Sequence, residues 1–164
     1  MAIAARRLPR GLGFWHPVCL ISTWFGCGLL PAIPGTWGSL AALPMAWLVL
    51  VNYGTLALLG VAVVLFLLGL WSANIYVRRN REEDPQSIVI DEVAAQCLVL
   101  TAAPAEWGYL FAGFVLFRIA DIVKPWPASW ADRAGWGGLS VMLDDVLAGA
   151  YAWAALYAVV WVLG

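Results

Sequence analysis

The segment TLALLGVAVVLFLLGLWSANIYV, residues 55–77, is apolar over nearly its whole length and contains no charged side chain. A helix of this length is about 35 Å long, which is enough to cross a hydrocarbon core of about 30 Å. The uncharged stretch extends beyond this segment, because no Asp, Glu, Lys or Arg occurs from residue 11 to residue 77. The segment therefore predicts a membrane-spanning helix in an integral membrane protein.

Composition supports this prediction. Of the 164 residues, 63% are hydrophobic and 12% are charged, whereas soluble domains carry roughly 25% charged residues. No basic patch suited to nucleic acid is present. The N-terminus lacks the apolar run and small-residue cleavage site of a signal peptide. We therefore expect a cytoplasmic arm over residues 1–16 and a single membrane-embedded catalytic domain over residues 17–164.

Other stretches resemble the first. Residues 38–52, 108–123 and 145–164 also have the character of spanning helices, and residues 90–103 form a shorter fifth candidate. Residues 17–33 are apolar but are interrupted by Gly26, Gly28 and Pro31, so they predict either a re-entrant segment or a full span. The expected fold is an all-α, polytopic integral membrane helix bundle. It has about five transmembrane helices plus a re-entrant or broken N-terminal segment.

Lys and Arg residues predict the orientation, because cytoplasmic loops of membrane proteins carry an excess of them. They occur in the N-terminal arm, in residues 78–81 and in residues 124–133, whereas the turns near residues 52–54 and 104–107 carry none. If residues 17–33 are re-entrant, every basic cluster falls on the cytoplasmic side. The predicted topology is then five crossings, with the N-terminus inside and the C-terminus outside.

Five carboxylates lie against or inside apolar segments, where a charge costs about 2.5–3.5 kcal/mol at the bilayer centre. They are Asp91, Glu92, Asp121, Asp144 and Asp145. In the predicted topology all five fall at cytoplasmic helix ends. Each doublet is compatible with helix capping, but grouped carboxylates beside cations also favour a hard divalent metal and a phosphate. Gln96 lies one turn after Glu92 and is predicted to support it as a hydrogen-bond donor.

Two further patterns surround these acids. Arg118, Asp121 and Lys124 recur at three-residue spacing, which fits either an ion ladder or a metal ligand flanked by two phosphate-binding cations. The turn Pro34-Gly35-Thr36-Trp37-Gly38-Ser39 precedes a predicted helix, where free backbone N–H groups favour anions. Thr36 is also compatible with an ordinary helix cap.

Taken together, these strings resemble the phosphatidylglycerophosphatase A family. The resemblance covers nearly the whole chain, from about residue 20 to residue 155, and the strings occur in the family's order. The resemblance rests on the following strings: Pro34-Gly35-Thr36-Trp37-Gly38-Ser39, Ile90-Asp91-Glu92-Val93 with Gln96, Phe117-Arg118 with Asp121, Lys124-Pro125-Trp126-Pro127, and Val141-Met142-Leu143-Asp144-Asp145-Val146-Leu147-Ala148-Gly149. Members are Mg²⁺-dependent lipid phosphatases of the bacterial inner (cytoplasmic) membrane. They convert phosphatidylglycerophosphate to phosphatidylglycerol, so the expected partner is a phospholipid substrate in the membrane.

The resemblance also implies residue roles. The metal-binding and catalytic set would be Asp91, Glu92, Asp121, Asp144 and Asp145, with Mg²⁺ as the cofactor and the site facing the cytoplasm. The substrate phosphate would be bound by Thr36, Ser39, Arg118 and Lys124. The number of metal ions, the identity of the general base, the choice between direct water attack and a phospho-aspartate, and the oligomeric state stay open.

Two other functions are compatible with clustered acids in a helical membrane protein. A CDP-alcohol phosphotransferase also uses Mg²⁺, but its long D-G-x-x-A-R…G…D…D signature is missing from this chain. A non-enzymatic cation carrier would place acids near the bilayer midplane, often in two similar halves. Here the acids are predicted at one membrane face, and no internal repeat is visible. We therefore expect a lipid phosphatase.

Overall fold

The computed structural model describes residues 8–80 and 85–163, so Arg6, Arg7 and Arg81 of the predicted basic clusters lie outside the described residues. The described residues form helices and no strand, which confirms the predicted all-α class. The helices are α1 (Pro17–Ser22), α2 (Pro34–Asn80), α3 (Ile90–Leu100), α4 (Trp107–Val123), α5 (Ala128–Asp132) and α6 (Gly138–Leu163), with a single 3₁₀ turn at Cys27–Leu29.

Helix α2 folds back on itself at Gly54, where φ is 80° and ψ is −177°. This positive φ favours glycine. Gly38 packs against Val89, and Gly69 packs against Ile90. In a straight helix Gly38 and Gly69 would be about 46 Å apart, so they could not both contact consecutive residues. The two halves of α2 therefore form a hairpin, as predicted from residues 38–52 and 55–77.

Two of the described helices, α2 and α6, are long and apolar enough to cross a membrane. Helix α4 has 17 residues and is about 25 Å long, and α3 has 11 residues and is about 16 Å long, roughly half of the hydrocarbon thickness. The N-terminal segment is broken, as predicted. It consists of the six-residue α1 and the 3₁₀ turn, with left-handed backbone at Gly26 between them.

Helix α6 begins at Gly138, so the predicted start at Asp145 is wrong. Its first turn is supported from outside the helix. The Gly138 N–H donates to Oδ1 of Asn74 at 3.2 Å, and the Ser140 hydroxyl accepts the Trp136 N–H at 2.9 Å. The tertiary bond to Asn74 and the local bond to Trp136 extend the helix into a polar, glycine-rich sequence that local patterning predicts to be a loop. Asp144 therefore lies six residues inside the helix and does not cap it.

Helix α3 is the central element, since it packs against both α2 and α6. Its residues Val93, Cys97 and Leu100 are fully buried. One buried cluster joins α3 to α2, and a second joins α3 to α4 and α6 through residues such as Phe117 and Leu156. The starts of α2 and α3, the end of α4 and the first turns of α6 consequently meet at one end of the bundle.

Candidate active site

A cavity of about 780 Å³ opens at this end of the bundle. Eight of the nine side chains predicted to form the site line it: Thr36, Asp91, Glu92, Arg118, Asp121, Lys124, Asp144 and Asp145. Ser39 is fully buried and lies outside the lining. Residues that are far apart in sequence are therefore brought together, as the predicted topology requires.

Arg118 connects α4 to α2 and α3. Its Nη1 lies 2.7 Å from Oδ2 of Asp121 and 3.9 Å from Oε1 of Glu92. The same Nη1 is 3.5 Å from the Ser39 hydroxyl, which in turn donates to the Gly35 carbonyl at 2.9 Å. Ser39, predicted to bind phosphate, thus contacts Arg118 behind the cavity wall.

Lys124 lies at the end of α4 in left-handed conformation, with φ 44° and ψ 64°. Its Nζ donates to Oδ1 of Asp132 at 2.7 Å and also to Oδ2 of Asp144. Burial opposes the charged form of Lys124, but the hydrogen bonds to these two carboxylates outweigh it and raise its pKa above its usual range. Lys124 is therefore held as an ion-pair partner by α5 and α6. The predicted ion ladder along α4 forms only between Arg118 and Asp121.

Three carboxylates are grouped together, and among the described residues only Glu92 of the three has a cation within 4 Å, Nη1 of Arg118 at 3.9 Å. One oxygen from each of Asp91, Glu92 and Asp145 lies within 4.8 Å of the others. Oε2 of Glu92 and Oδ2 of Asp145 are buried and have no hydrogen-bond partner among the described residues. Because buried unpaired charges are costly, this trio requires a bound cation or bound protons.

The donor set of the trio fits a hard divalent cation. Mg²⁺ and Ca²⁺ prefer carboxylate oxygens, whereas softer metals select thiolate or imidazole ligands. Among the described residues that line the cavity there is no Cys and no His. With all side chains ionised, the five carboxylates, Arg118 and Lys124 carry a net charge of −3, which a divalent cation partly neutralises.

The glycine-rich turn has a steric role. A Cβ on Gly35 would collide with Oε1 of Glu92 and would lie 3.1 Å from Nη1 of Arg118. Only glycine therefore permits these two side chains to approach the first turn of α2. Thr36 lines the cavity from the same turn, and because α2 begins at Pro34 it lies within the helix.

Sequence patterning did not identify Asp132 and Arg133, which line the cavity from the end of α5. The available signal was an adjacent charge pair between tryptophans in an otherwise apolar chain. The predicted bond between Gln96 and Glu92 is absent. Gln96 is fully buried, and neither atom of its side-chain amide has a hydrogen-bond partner among the described residues.

Comparisons with known proteins identify relatives of this chain. The family model described as Phosphatidylglycerophosphatase A matches residues 20–160. A relative named Phosphatidylglycerophosphatase A from Escherichia coli is 39% identical over 148 residues, covering 87% of this chain and 81% of the relative. A relative with the same name from Haemophilus influenzae is 37% identical over 145 residues, covering 88% and 89%.

A third relative, from Bacteroides thetaiotaomicron, is named Putative phosphatidylinositol-3-phosphatase. It is 39% identical over 157 residues, covering 88% of this chain and 94% of the relative. No solved structure matches the chain. The family match covers every carboxylate that lines the cavity, and the chain therefore belongs to the phosphatidylglycerophosphatase A family.

Proposed function

We propose that this protein is a phosphatidylglycerophosphatase, which hydrolyses the terminal phosphomonoester of phosphatidylglycerophosphate to give phosphatidylglycerol and inorganic phosphate. One observation carries the proposal. In a member of this family, the grouped carboxylates of Asp91, Glu92 and Asp145 share a cavity with Arg118 and Lys124 at one end of an apolar bundle. Such a cavity offers both an oxygen-ligand cation site and cations for phosphate oxygens.

We assign Mg²⁺ as the cofactor, with Asp91, Glu92 and Asp145 as the side chains that hold it. When bound, Mg²⁺ supplies charge neutralisation for the phosphate and orients the attacking water. The fit rests on three oxygen donors and on the unpartnered oxygens of Glu92 and Asp145. Asp121 and Asp144, the other predicted metal ligands, are already paired with Arg118 and Lys124, which favours an orienting role for them.

The remaining side chains of the cavity are proposed to bind the phosphate or to accept a proton, according to their charge. Arg118 and Lys124 neutralise phosphate oxygens, the first as a planar fork and the second as a point charge. Thr36 contributes a hydroxyl from the first turn of α2. A general base must be free to accept a proton, and ion pairing with a cation lowers basicity. A carboxylate that holds Mg²⁺ is lowered in basicity as well, so we propose as the base an acid of the Asp91-Glu92 or Asp144-Asp145 doublet that does not hold the metal.

The same geometry supports a multi-pass arrangement in the bacterial inner membrane. The cavity lies at the end where α2 begins and where Arg78, Arg79 and Lys124 are found. By the positive-inside rule this end faces the cytoplasm. Trp126, Trp130 and Trp136 are exposed around the cavity, as expected at headgroup level. The proposed crossings are both halves of α2, α4 and α6, and α3 together with the turn that follows it, since α3 alone covers only about half of the hydrocarbon thickness.

The test is phosphate release from phosphatidylglycerophosphate in detergent micelles, with Mg²⁺ and with a chelator. We expect Mg²⁺-dependent release by the wild type and a loss of at least about 100-fold in Asp145→Asn, because the grouped carboxylates no longer bind a cation. Glu106→Gln is the matched control, since Glu106 is an exposed acid at the opposite end of the bundle. Release must not require a cytidine nucleotide, which separates the phosphatase from the phosphotransferase alternative.

Well-folded wild-type protein that releases no phosphate would contradict the proposal. A vesicle assay that shows Mg²⁺ flux without hydrolysis would point to the cation carrier. Phosphate release that needs no divalent cation would keep the phosphatase activity but remove Mg²⁺ from it.

A further inference from the structure

The cations of the cavity are not equivalent. Among the described residues, three cationic side chains line it: Arg118, Lys124 and Arg133. Arg118 is paired with Asp121, and Lys124 is bound to both Asp132 and Asp144. Arg133 forms no ion pair within the described part of the chain. Of the three cavity cations, Arg133 is therefore the one that no carboxylate of the described residues compensates.

The guanidinium of Arg133 is nevertheless held in place. Its Nε donates to the Ser129 carbonyl at 2.8 Å, one turn earlier in α5. This bond engages the inner nitrogen and leaves the two terminal NH₂ groups for a ligand. Asp132, the preceding residue, binds Lys124 at 2.7 Å, so this end of α5 is fixed next to the contact between Lys124 and Asp144. Arg133 thus stands at the exposed mouth of the cavity, beside the phosphate-binding groups.

The cavity is larger than its proposed reaction needs. Its volume of about 780 Å³ falls in the range of about 300–1,000 Å³ that is usual for whole small-molecule ligands, whereas a single phosphate is far smaller. Under the proposed function the substrate carries two phosphates separated by a glycerol. The terminal monoester is hydrolysed, and the phosphodiester joins that glycerol to the diacylglycerol. A site for the monoester at the carboxylates leaves the diester one glycerol away, towards the mouth.

We propose that Arg133 binds the phosphodiester of the lipid substrate, so that the mouth of the cavity is a second anion subsite. This subsite rests on the proposed function and deepens it, because it selects phosphatidyl lipids that bear a further phosphate. The two NH₂ groups of an Arg match the two free oxygens of a phosphodiester in a bidentate pair. Since the diester is unchanged by the reaction, its contact contributes equally to the bound substrate and to the transition state.

The experiment compares Arg133→Gln, Arg133→Lys and Arg78→Gln with the wild type. Arg78 is exposed at the same end of the bundle and outside the cavity lining, so its variant matches the change in charge. KM and kcat are measured with phosphatidylglycerophosphate in uncharged detergent micelles, and the varied substrate concentration is the mole fraction of this lipid in the micelle. Inhibition is measured with phosphatidylglycerol, which keeps only the diester, and with orthovanadate, which stands in for the transferred phosphoryl group.

In Arg133→Gln we expect KM to rise about tenfold, with kcat within about twofold of the wild type, because a charge-assisted contact made throughout the reaction is lost. Inhibition by phosphatidylglycerol should weaken by a similar factor, and inhibition by orthovanadate should not change. Arg133→Lys keeps the positive charge but loses the bidentate geometry, so its KM should lie between those of the wild type and Arg133→Gln. Arg78→Gln should resemble the wild type.

Several results would overturn the subsite. They are an unchanged KM in Arg133→Gln, equal weakening of both inhibitors, or the same effect in Arg78→Gln, which would reveal a general surface-charge effect. If the wild type hydrolyses no phosphatidylglycerophosphate, the proposed function itself fails, and that outcome is distinct from all three. Arg133 is exposed, so we expect its variants to fold, and their elution volume and Tm in detergent check this.

Discussion

The two acidic doublets of the cavity occupy different places in their helices. Asp91 and Glu92 lie in the first turn of α3, where Oδ1 of Asp91 accepts the Glu92 N–H at 3.0 Å. Asp144 and Asp145 lie deeper in α6, beyond its free backbone N–H groups, and there Lys124 contacts Asp144 instead. In both doublets a protein nitrogen holds one oxygen of the first acid. The second acid of each doublet keeps a buried oxygen without a partner among the described residues, and so does Asp144 through its other oxygen, Oδ1.

The comparison indicates that the two adjacent carboxylates of a doublet differ in how they are bound by the protein. A helix N-terminus or a Lys fixes one oxygen of the first acid, and buried oxygens of the doublet stay available for a ligand. The same sequence pattern therefore produces two different local solutions, one from backbone donors and one from a side chain of another helix. Both solutions end with an acid that requires a cation or a proton.

The largest expected effect separates the two acids of the second doublet. We expect Asp145→Asn to lower kcat by about 1000-fold, because its unpartnered oxygen belongs to the proposed cation site. Asp144→Asn should lower kcat by only about 10- to 100-fold, since its carboxylate orients Lys124. Steady-state kinetics on phosphatidylglycerophosphate measure both effects.

A second readout does not depend on activity. Binding of Mn²⁺, followed by electron paramagnetic resonance, should be lost in Asp145→Asn and retained in Asp144→Asn. Equal losses of Mn²⁺ binding in the two variants would remove the distinction between the acids. Glu92→Gln should behave like Asp145→Asn if the doublets correspond as described.

A smaller effect concerns how Glu92 is placed. We expect Gly35→Ala to lower kcat/KM about tenfold, because the added methyl group displaces the Glu92 carboxylate and approaches Nη1 of Arg118. The atoms displaced are flexible side-chain ends, so Tm should change little. Gly60→Ala is the control, since nothing lies within 4 Å of that position and alanine favours the helix. A large fall in Tm for Gly35→Ala would mean that the turn has a structural role instead.

The second doublet is predicted to depend on its Lys for stability. Lys124→Met leaves Asp144 buried without its cation and should lower the free energy of unfolding by about 1–3 kcal/mol. The double variant Lys124→Met/Asp144→Asn should recover part of this loss, because no unpaired charge remains. Thermal unfolding of the wild type, the two single variants and the double variant in one detergent completes the double-mutant cycle. Simple additivity would contradict coupling between Lys124 and Asp144.

Much of the fold could be predicted from apolar segment length and from the placement of charges. Residues 55–77 and the hairpin turn at Gly54 follow from elementary geometry, because a hydrophobic run much longer than the bilayer must turn. The convergence of Asp91, Asp121 and Asp145 also followed, since alternating crossings bring every second connection to the same face. These predictions need only the lengths of the apolar segments and their order along the chain, and both can be read directly from the sequence.

What could not be predicted depends on partners in three dimensions. The start of α6 at Gly138 requires Asn74 of α2, and no local signal in the sequence pairs these residues. Which carboxylates are paired and which are free for a ligand depends on which cation lies near each of them. Lys124 pairs with acids of α5 and α6 because α4 ends beside these helices. Gln96 has the right spacing to reach Glu92 but makes no such bond, so helical register alone is insufficient.

The smallest expected effect tests how the second doublet is held in register. Asn74 donates to the Leu70 carbonyl at 2.8 Å and accepts the Gly138 N–H at 3.2 Å, so it joins α2 to the start of α6. Asn52 makes the same local bond, to Leu48 at 2.7 Å, at the exposed tip of the α2 hairpin.

We expect Asn74→Ala to lower the free energy of unfolding by about 1 kcal/mol more than Asn52→Ala does, because it also leaves the Gly138 N–H unpaired. Denaturant titration of both variants measures the difference. Phosphatase activity should fall together with stability in Asn74→Ala but not in Asn52→Ala, since the start of α6 sets the depth of Asp145 in the cavity. Equal effects of the two substitutions would mean that α6 holds its register through packing alone, with Gly138 against the backbone of Asn74.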